Sequence, residues 1–333
     1  MADYQDIRGL RVKYLSADPS TSTLGEVWYN SVSGTLKSTV MSSATWASGG
    51  SLSESRTDAG VFGTQTAGAI ASGLIMPVTG SYRSATEEYN GASWGSGGGL
   101  PTPRAYMVAG GTQTTGIVIG GDSASGAGIA STELYNGASY SAGGGLNAMP
   151  PGYSYNMLGG GPQTSAIIAG GEGHPTAGPG RQVQEYNGST WTMSPVAYPQ
   201  TISRGGFAGT NTAGLFFGGA TSPSPTNLTT EWNGGSFAVG GSLGTPRHNI
   251  GSCGIQTQAL CIGLDGPTGA GTICELYDGT SWAATAALGS GDYGCDSCGT
   301  TSAALNAASR VAPGTQTEEY NGAVAEIQTL TTS

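Results

Sequence analysis

Apolar residues in this chain come in short runs that stop at glycine, as in Ile117-Val118-Ile119-Gly120-Gly121 and Ile167-Ile168-Ala169-Gly170-Gly171. Runs so short, bounded by turn residues, predict buried β-strands rather than helices. A second strand type sets a carboxylate beside an aromatic and then turns at Asn-Gly or Asp-Gly. Its six copies are Glu88-Tyr89-Asn90-Gly91, Glu133-Leu134-Tyr135-Asn136-Gly137, Glu185-Tyr186-Asn187-Gly188, Glu231-Trp232-Asn233-Gly234, Glu275-Leu276-Tyr277-Asp278-Gly279 and Glu319-Tyr320-Asn321-Gly322. Asn-Gly between strands predicts a hairpin with a type I′ turn, whose two central residues need positive φ.

The repeat glycines are 46, 51, 46, 45 and 43 residues apart, and a period of that size with strand content predicts propeller blades. Other landmarks recur in register. An aromatic follows each Asn-Gly or Asp-Gly except the last: Trp94, Tyr140, Trp191, Phe237 and Trp282. Gly-led turns such as Gly63-Thr64-Gln65-Thr66 and Gly111-Thr112-Gln113-Thr114 precede the apolar runs. Each unit therefore offers four strands: A before the Gly-led turn, B after it, C with the Glu and Tyr, and D with the Trp. The missing aromatic after Asn321-Gly322 is found at the other end of the chain, in Thr45-Trp46-Ala47. The expected fold is all-β: a six-bladed propeller over residues 43–323, in which residues around 43–47 supply the outer strand of the last blade beside 316–320. Such closure removes the exposed edges that invite aggregation. Tyr89, Tyr135, Tyr186, Trp232, Tyr277, Tyr320, Trp46, Trp94, Trp191 and Trp282 are read as structural residues of the repeat.

The pattern resembles the kelch and galactose-oxidase class of β-propellers. The resemblance rests on Leu100-Pro101-Thr102-Pro103-Arg104 before strand A, Gly-Gly ending strand B, the Glu-Glu-Tyr of strand C and the Trp of strand D. Copy six departs from it, with Ala307-Ala308 in place of Gly-Gly.

Residues 1–42 read differently. Short alternating segments broken at Ser33-Gly34 predict a β-hairpin, and 324–333 is expected to be a tail. Forty residues cannot bury a self-sufficient core, so this segment is expected to dock or oligomerise. Gly25-Glu26-Val27-Trp28-Tyr29-Asn30 and Ser33-Gly34-Thr35-Leu36-Lys37 resemble N-terminal regions of bacteriophage tail-fibre and tail-associated proteins. Glycine-rich propellers repeating Tyr-Asn-Gly-x-x-Trp are also similar to proteins of aquatic phages. The resemblance implies a virion protein made in the host cytoplasm, with other virion proteins, copies of itself and a host surface glycan or protein as partners. Tail-associated adhesion is the leading expectation, with capsid decoration and a carbohydrate-binding or glycosidase propeller as alternatives.

Charge narrows the partners. The chain has 11 basic and 21 acidic residues, a net charge of −10. In residues 1–42 the charges cancel, so the excess lies in the repeats, which hold arginines and no lysine. No basic stripe is present to neutralise phosphate, so neither nucleic acid nor anionic membrane is an expected partner. The longest apolar stretch, Ala67 to Val78, is interrupted by Gly68, Gly73 and Pro77 and falls short of a membrane span.

Catalytic sets were sought. Copper chemistry of the galactose-oxidase kind needs several histidines, and the two here, His174 and His248, fall in separate repeats. The sialidase Ser-x-Asp-x-Gly-x-Thr-Trp box has no counterpart; Asp278-Gly279-Thr280-Ser281-Trp282 reads as an ordinary turn. Cys295-x-x-Cys298 lacks a second pair, and zinc needs four ligands. No enzyme activity, cofactor or metal is expected. The longer connections, Asp122–Ser131, Glu172–Val183, Ala220–Thr229 and Leu264–Thr272, share one face and either recognise a ligand or only span between strands. Asp122, Glu172, His174 and Asp265 lie there and are the ligand-binding candidates; a paired-carboxylate glycosidase would draw on Asp122, Glu172 and Asp265. Arg56, Arg104, Arg204 and Arg247 recur one per repeat, which favours structural hydrogen bonding over anion binding.

Overall fold

The computed structural model describes residues 12–75, 81–126, 128–147, 154–172, 180–221, 224–266 and 269–330. Among these there is no helix, and 28 strands form seven four-stranded sheets. The chain divides into two compact units, Thr45–Asn321 and a smaller one made of the residues up to Ala44 with those from Gly322 onward.

Thr45–Asn321 holds six of the sheets, each a four-stranded antiparallel array. In the second, Val108–Thr112, Thr115–Ile119, Ser131–Tyr135 and Tyr140–Gly145 follow as strands A to D. The inner strands are Gly60–Thr64, Val108–Thr112, Leu158–Gly160, Gly206–Gly209, Gly251–Ile255 and Asp296–Gly299. They stand side by side in chain order, and the last adjoins the first. This radial arrangement is a β-propeller. Among the described residues the seventh sheet is built by the terminal segments, where only a hairpin was expected beside the six blades.

Crowding at the axis explains the inner glycines. A Cβ on Gly110 would meet the Gly161 carbonyl, and one on Gly116 would enter the Phe62 ring. Outward from the axis, apolar side chains fill the space between neighbouring sheets. Val108, Ile117 and Ile119 of the second sheet pack with Met157, Ile168, Tyr186 and Trp191 of the third.

The closing sheet joins the two ends of the unit. Strand Thr45–Ser48 pairs antiparallel with Thr317–Asn321, placing Trp46 opposite Tyr320 with ring centroids 5.1 Å apart. Neighbouring sheets are then linked by side chains the repeat pattern had already marked. Where the Gly-led turn carries a glutamine (Gln65, Gln113, Gln163 and Gln256), it donates its amide to carbonyls of the preceding sheet, as Gln113 does to Gly68 (2.8 Å) and Tyr89 (2.9 Å). Gln65 does the same across the closure, to Tyr320 at 2.6 Å. In three sheets the tyrosine of strand C donates to the glutamate of the preceding sheet: Tyr135 to Glu88 (2.7 Å), Tyr277 to Glu231 (2.6 Å) and Tyr89 to Glu319 (2.6 Å). Trp94, Trp191 and Trp282 stack on the tyrosine of their own sheet. Each also donates its indole N–H to a threonine of the sheet before, Thr317, Thr132 and Thr229.

Three local expectations change. The Asn-Gly hairpins exist, with Tyr89 opposite Trp94, but their loops hold four residues. Only Gly91 has positive φ there, at 90°, and the Asn90 side-chain oxygen accepts the N–H groups of Ala92 and Ser93. An Asx turn therefore replaces the type I′ turn. The connection Leu264–Thr272 is no loop: strands Gln258–Gly266 and Gly269–Tyr277 extend into it, pairing Leu264 with Gly271. The terminal segment exceeds a hairpin. Val27–Asn30 and Thr35–Met41 pair as expected, but Lys13–Leu15 adds in parallel on one side. Ala325–Thr329, expected as a tail, adds antiparallel on the other. In that unit Asp18 accepts hydrogen bonds from the Trp28 indole (3.1 Å), the Asn30 amide (2.8 Å) and the Lys37 ammonium (2.7 Å).

Candidate functional site

At one end of the inner strands the propeller axis is ringed by backbone. Tyr106 donates its N–H to Asp58 O, Asn156 to Tyr106, Arg204 to Asn156, Asn249 to Arg204, Gly294 to Asn249, and Asp58 to Gly294, at 2.8–3.1 Å. All six residues have φ between 50° and 62°. That left-handed conformation is unfavourable for the five that are not glycine, and the cyclic hydrogen bonding holds them in it. The side chains of Asp58, Tyr106, Asn156, Arg204 and Asn249 line a small mouth cavity of about 70 Å³. Behind it, the axial channel between the inner strands measures about 360 Å³ and is lined by glycines and by apolar residues such as Phe62, Met107, Phe207 and Ile250. Asp296 lines both spaces.

A second shell of polar residues surrounds the ring. Asp122, Glu172 and Asp265 occupy equivalent places in three sheets, each bridged to the start of its own strand A through Ala105, Tyr155 and His248. Asp122 accepts from the Tyr82 hydroxyl at 3.1 Å. Glu172 accepts from Ser203 (2.7 Å), Arg204 (3.0 Å) and Asn156 (3.0 Å). Asp265 accepts from Asn249 at 2.9 Å. Arg310 completes the set: it grips Asp58 at 2.9 and 3.0 Å, donates to the Tyr106 hydroxyl at 3.2 Å and lies over the Tyr106 and Tyr293 rings. Tyr106 and Tyr155 are half-buried neighbours, centroids 6.3 Å apart. Of the four ligand-binding candidates, Asp122, Glu172 and Asp265 are thus gathered at one face. His174 lies outside the described residues.

Electrostatics constrain what these groups can do. Burial alone would raise the Glu172 pKa, but Ser203, Arg204 and Asn156 together bring it below the ordinary glutamate value. Glu172 is therefore an ionised acceptor at neutral pH. Burial pushes the Tyr106 and Tyr155 hydroxyls up, keeping both protonated. All five cysteines are buried and free, and burial drives the Cys253 and Cys261 thiols to about 12 and Cys274 to about 11. Such thiols are poor nucleophiles and poor ligands. Among the described residues no cluster of histidine, cysteine and carboxylate is arranged to hold a metal ion.

The four arginines do not form one series. Arg56, Arg104 and Arg247 are buried and pair with Glu87, Glu133 and Glu275 of their own sheets. Arg204 stands two positions further on, in the axial ring, half-exposed beside Glu172. Ile202 occupies the place equivalent to Arg104, so an arginine at roughly the right distance concealed a different role. The ring residues themselves were missed because they differ in type; what unites them is backbone conformation and an invariant five-residue distance to the Gly-led turn.

No family model and no curated protein matches this chain. Among solved structures it is similar to one titled "Structure of YjhT", with a TM-score of 0.65 at 11% identity, over 83% of this chain and 99% of that one. A likeness at that identity shows the fold, a β-propeller, and the fold alone does not define an activity.

Proposed function

We propose that this chain is a non-enzymatic bacteriophage virion protein, tail-associated, whose six-bladed propeller binds a host-surface glycan at the axial mouth. The observation that carries the reading is one axial cavity lined by the half-buried Tyr106 and fixed polar side chains, with Tyr155 beside Tyr106. Pyranose C–H faces pack on tyrosine rings, and a few convergent polar groups around a concavity set orientation. The six-membered hydrogen-bond ring and the Trp46 strand support the blade number. The virion context is supported by the N-terminal phrases alone.

A glycosidase would need a carboxylic acid held protonated beside a second carboxylate. Glu172, held ionised by three donors, does not supply that acid. The terminal unit exposes Tyr14, Leu24, Val32, Met41, Val324 and Leu330. Apolar exposure on so small a body supports attachment there to other virion proteins or to further copies of the chain.

The test is binding of the intact chain to host envelope polysaccharide. Tyr106→Ala and Tyr155→Ala should each weaken binding about tenfold, in the range expected of an aromatic contact at a hot spot, with melting curves little changed. Unaltered binding in both variants contradicts the reading. So does release of reducing sugar that stops in Glu172→Gln, which would make the protein an enzyme.

A further inference from the structure

The mouth cavity has an unusual donor and acceptor balance. Asn156 and Asn249 both line it, and each donates its amide nitrogen outward to a carboxylate, Glu172 or Asp265. A carboxylate can only accept, so these contacts fix the amide orientation. The amide oxygens are the atoms left for the cavity. Asp296 lines the same cavity from the channel side, and among the described residues no hydrogen bond or ion pair reaches its carboxylate. Burial, with the charges of Asp58 and Asp292 adding to it, holds the Asp296 carboxyl well above the ordinary aspartate range. Around the mouth stand Asp58, Asp122, Glu172, Asp265 and Asp296 against Arg204 and Arg310, both already engaged with carboxylates.

Asp296 is only partly exposed, ionising a carboxyl without a partner in such a place is costly, and a cation in the adjacent space would offset that cost. A divalent metal is a poor match, since the described carboxylates, histidines and cysteines offer no such ligand set. A primary ammonium presents three N–H donors and no acceptor, which complements one carboxylate and two amide oxygens. We propose that the axial mouth is a primary-ammonium site, with Asp296, Asn156 and Asn249 as its three acceptors. This rests on the glycan reading above and sharpens it: the sugar bound is an amino sugar with its amine free, lying against Tyr106 and Tyr155.

Calorimetric titration of the intact chain at low ionic strength tests this with glucosamine, N-acetylglucosamine and n-propylamine. N-acetylation removes the charge and two donors while leaving the ring. Glucosamine should bind at least tenfold more tightly than its acetylated form. Asp296→Asn, nearly isosteric, should erase that preference while leaving the acetylated sugar's affinity as it was. Equal binding of the two sugars by the unaltered protein, or a preference that survives in Asp296→Asn, overturns the ammonium site while the glycan reading stands. Binding of n-propylamine without either sugar retains the ammonium site and removes the glycan reading. No binding of any of the three overturns both.

Discussion

Replacing Arg104 with alanine should lower the stability of the propeller by about 3–5 kcal/mol, the cost typical of leaving one partner of a buried ion pair uncompensated. Arg104 is fully buried and its guanidinium joins three parts of one sheet. It donates to Gly120 O (3.2 Å), Ser131 O (3.3 Å) and Glu133 (3.3 Å). The alanine variant strands a nearly buried carboxylate and two carbonyls together. For a unit of this size the melting temperature should fall by roughly 10 °C. Adding Glu133→Leu to Arg104→Met should recover part of the loss, because the charge is then gone. Recovery stays incomplete while the two carbonyls lack a donor. A loss under 1 kcal/mol in Arg104→Ala would show that water reaches the guanidinium site, contrary to its burial here.

Acidification from pH 7.5 to pH 5 should stabilise the protein, and Asp292 should carry much of the gain. Asp292 and Glu318 take the places in the closing sheet that Arg104 and Glu133 hold in the second, so two carboxylates stand where other sheets have an ion pair. Asp292 is buried, its Oδ2 accepts from Asn306 at 3.0 Å, and its Oδ1 has no partner. Burial raises its pKa from 3.8 to about 6, against the opposing hydrogen bond from Asn306, with the Glu318 charge adding slightly. A folded pKa above the unfolded one means the native state holds the proton more tightly. The stabilisation is then complete below pH 3.8 and lost as pH rises through 6. A shift of this size corresponds to about 3 kcal/mol at full titration. Glu172, with its lowered pKa, acts in the opposite sense, but its window lies below 4.5. Urea midpoints at pH 5 and 7.5 check this. Asp292→Asn should be more stable than the natural chain at pH 7.5 and should lose its own share of the pH slope, the remainder coming from Asp296, Asp58 and Glu318, whose carboxyls burial also pushes up. A natural chain whose midpoint falls on going to pH 5 would refute the assignment.

How much of this the sequence revealed divides along a physical line. Features that recur once per sheet with one kind of side chain were legible: the Gly-led turns and the aromatics of strands C and D. The displaced Trp46 even disclosed the closure, since a missing repeat element must come from somewhere. Features that depend on backbone conformation or on ends meeting were not. Asp58, Tyr106, Asn156, Arg204, Asn249 and Gly294 share no chemistry, so their ring appears only when φ and hydrogen bonds are known. The pairing of Ala325–Thr329 with Thr35–Met41 joins segments nearly three hundred residues apart, with no repeat to advertise it. Asn90-Gly91 misled because the side-chain oxygen of Asn90 competes with the tighter turn, a local contest that pattern alone does not settle. Asp122, Glu172 and Asp265 were reached by reasoning about loops on one face. The neighbours that fix their state, Tyr82, Arg204 and Asn249, came only with the coordinates.

The most direct test of the account is an electron-microscopic reconstruction of purified virions from cells expressing the chain. A six-sectored propeller on the tail, with the Asp58–Gly294 ring facing solvent, is the result expected. Particles that lack the chain, or that carry it with the ring buried against another virion protein, would contradict it.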